Sequence, residues 1–352
     1  MRLGRGTRYS RLLVLAVFYG LAARLVLFSF LMPPGIESND RARFVDLIEG
    51  RAHRPFAYRA LVPVSVRWLA EHSPALLRDP VTRLAATSDE ATLLKWDRQH
   101  LYEYVVACGI MFACWVAFAF TFRALINTLY DLPALVGDLA PVIALLVLPI
   151  HFTYCNYIYD PCTLMLAAGC LWLIATQRTV AFYACFALSA LNKETAVLFV
   201  PVFLASRWGR QSWSALVLHA VALTALWAAV KVGVNLAYRD NPGVLAEFQL
   251  VRNLRLFSNP LLMLRFCGVM GAYALLISVG WSARPAFLRR TLLLILIPQL
   301  MLGLFLGYID ELRVYYEALP AALLLAVPAV YRWTVGALAD ARSEVTPAHR
   351  SW

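Results

Sequence analysis

The sequence predicts an all-α polytopic membrane protein with about ten transmembrane helices (~9–11) in a single domain, residues 1–352. Of the 352 residues, 61% are hydrophobic and only 15% are charged, whereas soluble domains are ~45–50% apolar and ~25% charged. The apolar residues lie in blocks that approach the ~20 residues a helix needs to cross the hydrocarbon core. Alternating ten-residue segments, typical of an outer-membrane barrel, are absent, so the predicted spans are helical.

Composition also excludes other classes of protein. Most of the seven cysteines lie inside apolar blocks, which argues against a disulfide framework. The net charge of +11 comes from basic residues that are spread along the chain. Basic membrane loops and an acidic or phosphorylated substrate explain that charge better than nucleic acid does.

The first predicted span covers residues 12–32 and follows a basic N-terminal flank. Its apolar run is too long for a signal peptide and no small-residue cleavage site follows, so we expect it to be retained with a cytoplasmic N-terminus. Further spans are predicted near 103–122, 134–151, 157–176, 213–236, 260–282, 289–307 and 314–334.

The stretch 181–205 is apolar but carries Asn192-Lys193-Glu194 at its centre. A single helix would place two ionisable groups at mid-bilayer, each costing ~2.5–3.5 kcal/mol on insertion scales. Two short arms joined at Lys193 would instead put the basic loops around Arg207 and Arg289 on the cytoplasmic side, as the positive-inside rule prefers. We therefore expect a hairpin here and both chain termini in the cytoplasm.

Residues 33–102 are predicted to form a long extracytoplasmic loop with juxtamembrane helices. Phe44, Leu47 and Ile48 share one helical face, and residues 61–70 repeat this pattern, as expected for helices on a membrane surface. The predicted topology brings this loop to the same side as polar segments from distant parts of the chain. Ionisable residues at membrane depth indicate a functional site.

After the first span comes an acidic residue, then a short helix that ends at Glu49-Gly50 and a Pro-aromatic-Tyr-Arg stretch. Three later segments are Tyr159-Asp160-Pro161, Asn192-Lys193-Glu194-Thr195 and Glu311-x-Arg313-x-Tyr315. These four segments, in this order, resemble the C-type (GT-C) superfamily of membrane glycosyltransferases. The resemblance covers about residues 12–330, and we expect no soluble C-terminal domain, which leaves the acceptor open.

The resemblance implies transfer of a sugar from a polyprenyl-phosphate donor to a lipid, glycan or protein acceptor at the outer face of the membrane. It implies Asp40 as the general base, which matches the family position, with Glu37 as a reserve and Asp160 as a carboxylate that shapes the site. A divalent metal is left open, because it would require Asp40 and Asp160 to meet. Helix N-capping is the alternative role, by Asn39 or Asp40 at the first position and by Asp160 at the second.

The phosphate of the donor is expected to bind Lys193 and Arg313, since cations stabilise the charge that develops on a leaving phosphate. The alternative is that each pairs with its neighbour, Lys193 with Glu194 and Arg313 with Glu311. The remaining candidate substrate-binding residues are Arg59, His151, Glu194, Lys231, Arg265, Glu311 and Tyr316.

We expect an integral, multi-pass protein of a bacterial inner membrane, in contact with membrane lipids and not with nucleic acid. A transporter or lipid flippase with an outward-facing polar cavity is the main alternative, because transporters also contain broken helices. We find no second segment that repeats 181–205, and a transporter with internal repeats would be expected to have one.

Overall fold

The computed structural model describes the backbone of residues 5–345 and the side chains of residues 9–334, and it contains no β-strand in that range. The all-helical fold class is therefore confirmed. The helices are α1 Arg5–Leu31, α2 Phe44–Ile48, α3 Leu61–His72, α4 Ala75–Ala86, α5 Asp89–Leu93, α6 Leu101–Leu129, α7 Ala134–Leu146, α8 Asp160–Ala175, α9 Thr179–Asn192, α10 Phe199–Arg207, α11 Trp213–Ala237, α12 Leu250–Leu256, α13 Pro260–Ser278, α14 Ala286–Leu306 and α15 Leu319–Val345.

Six segments are long and apolar enough to cross a membrane. They are Tyr9–Leu31, Arg98–Leu129, Ala134–His151, Trp213–Ala237, Pro260–Ser278 and Ala286–Leu306. Three shorter helical segments are also apolar: Asp160–Ala175, Thr179–Asn192 and Leu319–Thr334. Many leucines on α1, α11 and α13 are exposed, and a surface of that kind is suited to lipid tails rather than to water.

The centre of the bundle is formed by α6, which packs against α1, α7 and α8. Trp115 and Phe118 of α6 are fully buried, and the Trp115 ring meets Phe30 of α1 edge-on, with the centroids 6.1 Å apart. At one end of these helices, Arg123 Nε donates to Asp138 Oδ1 at 2.7 Å, and Arg11 pairs with the same carboxylate. This shared ion pair aligns the start of α1, the end of α6 and the start of α7.

The segment 181–205 folds as a hairpin. The helix α9 ends before Lys193, whose backbone is extended (φ −156°, ψ 143°), and α10 runs back beside it. Arg207 Nη2, at the end of α10, donates to Thr179 Oγ1 at 3.0 Å. The rings of Phe182 and Phe203 stack with centroids 4.8 Å apart. The two ends of the hairpin therefore lie side by side, as the sequence predicts.

The long segment 33–102 contains the two predicted short helices, here α2 and α3. The stacking of Phe44 on Tyr104, with centroids 3.9 Å apart, holds α2 against α6. The capping role expected for Asn39 or Asp40 is wrong, because α2 begins only after Arg43 and receives no side-chain cap. Asn39 Oδ1 instead accepts the backbone N–H of Arg41 at 3.0 Å in a local turn.

The hairpin makes a prediction about accessibility. Residues 178 and 208 are both exposed and flank the paired ends of α9 and α10, so they should face the same side of the membrane. In a Cys267→Ser background, which removes an exposed native thiol, we expect Arg178→Cys and Trp208→Cys to react with an impermeant maleimide from the same side.

Arg239→Cys is the matched control, because residue 239 is exposed and follows the far end of α11. It should react only from the opposite side. Labelling of positions 178 and 208 from opposite sides would show that the segment crosses the membrane once.

Candidate functional site

Polar segments from distant parts of the sequence meet at the end of the bundle where α1 ends and α8 begins. We call this the polar end, and define it as residues 33–60, 152–160, 192–195, 231–259 and 307–317. Main-chain and amide hydrogen bonds join these segments: the Asn156 N–H donates to the Gly35 carbonyl at 2.9 Å, and Asn253 Nδ2 donates to the Gly307 carbonyl at 2.8 Å. The chain thus closes a shared surface from loops that are far apart in sequence.

Arg313 is the most heavily contacted cation at the polar end. Its Nη1 lies 3.0 Å from Asp160 Oδ2, its Nε donates to Glu311 Oε1 at 3.0 Å, and its guanidinium lies 4.0 Å from the centroid of the Tyr157 ring. The side chains of Arg313, Asp160 and Glu311 are only 6%, 4% and 11% exposed. The expected Arg313–Glu311 pair is therefore present, and Asp160 adds a second carboxylate from α8.

Asp160 does not cap α8. The helix begins at Asp160 itself, after Tyr159, and no side chain caps it. The Asp160 carboxylate instead accepts the backbone N–H of Tyr157 at 3.0 Å and binds Arg313.

Lys193 pairs with Glu317, which is not among the sequence candidates. Its Nζ lies 3.1 Å from Glu317 Oε2, and the two side chains are 8% and 3% exposed. Gln299 Nε2 donates to the same carboxylate oxygen at 2.6 Å, and the Thr195 hydroxyl donates to the other oxygen. The proposed Lys193–Glu194 pair is wrong. A cavity of about 10 Å³ lies beside this pair, room for about one water molecule.

Glu194 pairs with Arg59 instead, at 3.0 Å between Oε1 and Nη2. Lys231 on α11 approaches the same carboxylate closely enough for the two charges to interact. Yet Lys231 Nζ and Glu194 Oε2 are both buried without a hydrogen-bond partner among the described residues. Buried polar groups are nearly always hydrogen-bonded, so Lys231 Nζ is a position at the polar end where an added anion would complete a contact without displacing one.

Two stacked tyrosines connect these charge clusters. The rings of Tyr157 and Tyr159 stack with centroids 5.1 Å apart, and the guanidinium of Arg59 lies 4.8 Å from the Tyr159 ring while that of Arg313 lies over Tyr157. Asn39 Nδ2 donates to the Tyr157 hydroxyl, which brings the segment after α1 to the same place. The cation–aromatic contacts add to the stabilisation of both guanidinium groups.

The two candidate bases lie in different environments. Glu37 accepts a hydrogen bond from the Tyr104 hydroxyl, and burial raises the pKa of its carboxyl above the ordinary 4.5, although that hydrogen bond acts in the opposite direction. Asp40 is 83% exposed and pairs with Arg43. Asp40 is thus accessible to a substrate, whereas Glu37 is held inside the loop.

Asp40 and Asp160 have different partners, Arg43 and Arg313. Among the residues with described side chains, no group of three or more His, Cys, Asp or Glu residues could hold a metal ion. The described geometry therefore does not support the divalent metal that the sequence left open, and we assign no step of the reaction to a metal.

The other sequence candidates lie in a second group. His151 is buried, its Nε2 is 3.4 Å from the Tyr273 hydroxyl, and its ring meets Tyr316 edge-on with centroids 6.1 Å apart. Arg265 is exposed and its Nη2 donates to the Ile150 carbonyl at 3.4 Å. Because Tyr316 follows Arg313 closely in sequence, this group adjoins the Arg313 cluster, but it shares no hydrogen bond with Lys231 or Arg59 in the described part of the chain.

Sequence reasoning missed Glu317, Gln299 and Tyr157. Glu317 had a usable signal, since it is a lone carboxylate directly before an apolar block, and Gln299 is a lone amide within one. Tyr157 had none, because its contribution depends on stacking between loops that only the fold brings together.

Comparison of the chain with family models, curated proteins and solved structures gives no significant match. The class of protein that the fold defines is an all-helical protein with helices able to span a membrane.

The buried Lys193–Glu317 pair makes a testable prediction. Glu317→Gln leaves a buried ammonium without a counter-charge, a change that costs about 3–5 kcal/mol in buried pairs. We expect a clear fall in the thermal unfolding temperature of the purified protein, and a partial recovery when Lys193→Met is added.

Asp240→Asn is the control, because Asp240 is 91% exposed in a surface pair with Arg239 and exposed pairs contribute little. An unfolding temperature for Glu317→Gln that equals that of the control would show that the buried pair does not stabilise the fold.

Proposed function

We propose that this protein transfers a sugar from a polyprenyl-phosphate donor to an acceptor hydroxyl at the polar end. The observation that carries the proposal is the buried Lys231 Nζ, which has no hydrogen-bond partner among the described residues and lies beside the Arg59–Glu194 pair. The same surface presents the exposed carboxylate of Asp40. A phosphate-binding cation and an accessible base are the two elements that this reaction requires. The motif order that resembles GT-C glycosyltransferases supports the same reaction.

In the proposed reaction, the acceptor hydroxyl attacks the anomeric carbon and the bond from that carbon to the phosphate oxygen breaks. The hydroxyl proton passes to the Asp40 carboxylate, and the electron pair of the broken bond remains on the polyprenyl phosphate. Glu37 is the reserve base, since its raised pKa brings it nearer to neutral pH. The acceptor is a lipid, a glycan or a protein.

The cations would act in two ways. Lys231 can accept the phosphate without losing a partner, whereas Lys193 and Arg313 already bind carboxylates. For Lys193 and Arg313 to hold the phosphate, as the resemblance implies, the phosphate would replace one of those carboxylates. Lys231, beside the Arg59–Glu194 pair, therefore makes the first contact in our scheme, and the Arg313 cluster adjoins this pair through the two tyrosines.

We further propose about ten membrane crossings, counting α9 and α10 separately, with both termini cytoplasmic and the polar end outside. In this arrangement α2 and α3 lie on the membrane surface and bring Asp40 to the depth of a lipid headgroup. The meeting of both hairpin ends at Thr179 and Arg207 supports this count. The predicted location is a bacterial inner membrane.

A transporter or flippase is the second candidate, because α9 and α10 form a broken helix with a charged residue at the break. The two functions differ in the product. A transferase releases polyprenyl phosphate, whereas a flippase moves the lipid-linked sugar across the bilayer intact.

The central prediction concerns Asp40. Asp40→Asn keeps the shape of the side chain but removes its basicity, so it should lower sugar transfer by about 10²–10⁴-fold while leaving donor binding unchanged. The measurement is release of polyprenyl phosphate in proteoliposomes supplied with a panel of polyprenyl-phosphate sugars.

Asp89→Asn is the control, an exposed carboxylate elsewhere in the segment 33–102, and it should retain wild-type activity. Full activity in Asp40→Asn would remove Asp40 from the mechanism. Retained activity in Asp40→Asn combined with Glu37→Gln, or translocation of intact donor by the wild type, would count against the transferase itself.

The second prediction concerns the phosphate. Lys231→Gln should weaken binding of polyprenyl phosphate by about 10-fold or more, because hydrogen bonds to charged groups contribute ~1.5–3 kcal/mol and 1.4 kcal/mol is tenfold in affinity. Lys95→Gln removes the same charge at an exposed position and should bind like wild type. Equal binding by Lys231→Gln and wild type would exclude Lys231 as a phosphate ligand.

A further inference from the structure

A second cavity lies at the end of the bundle opposite to the polar end. Its volume is about 330 Å³, and it lies between the end of α8, the end of α10 and the start of α14. This volume falls within the ~300–1,000 Å³ of small-molecule sites. Among its lining residues are Arg207, Arg210 and Arg290, together with Gln177 and Thr291.

The lining is strongly basic, and we call this site the basic cavity. Its described residues include three arginines and no aspartate or glutamate, and none of the three forms an ion pair with a described side chain. Arg207 is only 8% exposed. One of its nitrogens donates to Thr179, but its Nε is buried without a hydrogen-bond partner among the described residues. A buried guanidinium without a counter-charge is costly, and an anion in the cavity would relieve that cost.

The start of α14 adds further donors to the same cavity. Ala286 and Phe287, the first residues of this 21-residue helix, line the cavity, and no side chain caps the helix. The first backbone N–H groups of a helix have no partner within it and carry the positive end of the helix dipole. Such a helix start next to arginines is suited to bind a phosphate group.

We infer that this cavity binds a phosphate mono- or diester, from the headgroup of an anionic lipid or from a soluble phosphate compound. The site goes beyond the proposed glycosyl transfer, since it lies at the far end of the α9–α10 hairpin from Lys193. Trp208 lines the cavity and is 64% exposed, and an exposed tryptophan at a helix end is typical of a membrane interface.

Native mass spectrometry of the full-length purified protein tests this inference, with phosphatidylglycerol as the lipid probe and glycerol 3-phosphate as the soluble probe. Arg210→Gln combined with Arg290→Gln removes two exposed charges from the lining. We expect at least a tenfold loss of affinity for the probe that binds. The control, Arg239→Gln combined with Arg255→Gln, removes two exposed charges from the polar end and should bind like wild type.

Ala286→Glu is an independent variant. It places a carboxylate in the lining at the start of α14, a position where glutamate favours helix formation, so the protein should fold while the probe is repelled. Tight binding of phosphatidylglycerol alone identifies a lipid site, and tight binding of glycerol 3-phosphate identifies a soluble ligand. If neither probe binds wild type, or if Ala286→Glu binds both as tightly as wild type, the inference is overturned.

Discussion

Buried charges need partners in a low-dielectric interior, and the polar end of this bundle depends on that requirement. The Arg313–Asp160 ion pair holds the start of α8 against the loop before α15. The Lys193–Glu317 ion pair holds that loop against the break between α9 and α10. Arg59 joins the segment before α3 to Glu194. Each pair spans a large distance in sequence, so satisfying the charges also fixes which loops lie side by side. The arrangement of the candidate site follows from this pairing.

The hairpin relates the two ends of the molecule. Its tip at Lys193 belongs to the polar end, and its open end at Thr179 and Arg207 borders the basic cavity. Between these two ends, the stacked rings of Phe182 and Phe203 hold the two arms of the hairpin together. One short apolar element therefore carries an ion pair at one end and, at the other, a guanidinium that forms no ion pair with a described side chain. The two sites that we propose lie at its opposite ends.

The sequence was sufficient to predict the helical class, most helix positions and the hairpin, because these depend on apolar blocks and on the cost of placing Lys193 inside a membrane. It was not sufficient to predict partners. Lys193 pairs with Glu317 rather than with its neighbour Glu194. Where a helix is interrupted, the side chains of adjacent residues point in different directions. The capping roles expected for Asp40 and Asp160 failed for a related reason: Arg43 and Arg313 take their carboxylates.

The central claim is that the polar end binds the phosphate of a lipid-linked sugar donor. The most direct test is an experimental structure of the full-length protein with bound polyprenyl phosphate. Our account predicts density for the phosphate within hydrogen-bond distance of Lys231 Nζ, next to the Arg59–Glu194 pair. A phosphate that occupied only the basic cavity at the opposite end, with Lys231 left without a partner, would contradict it.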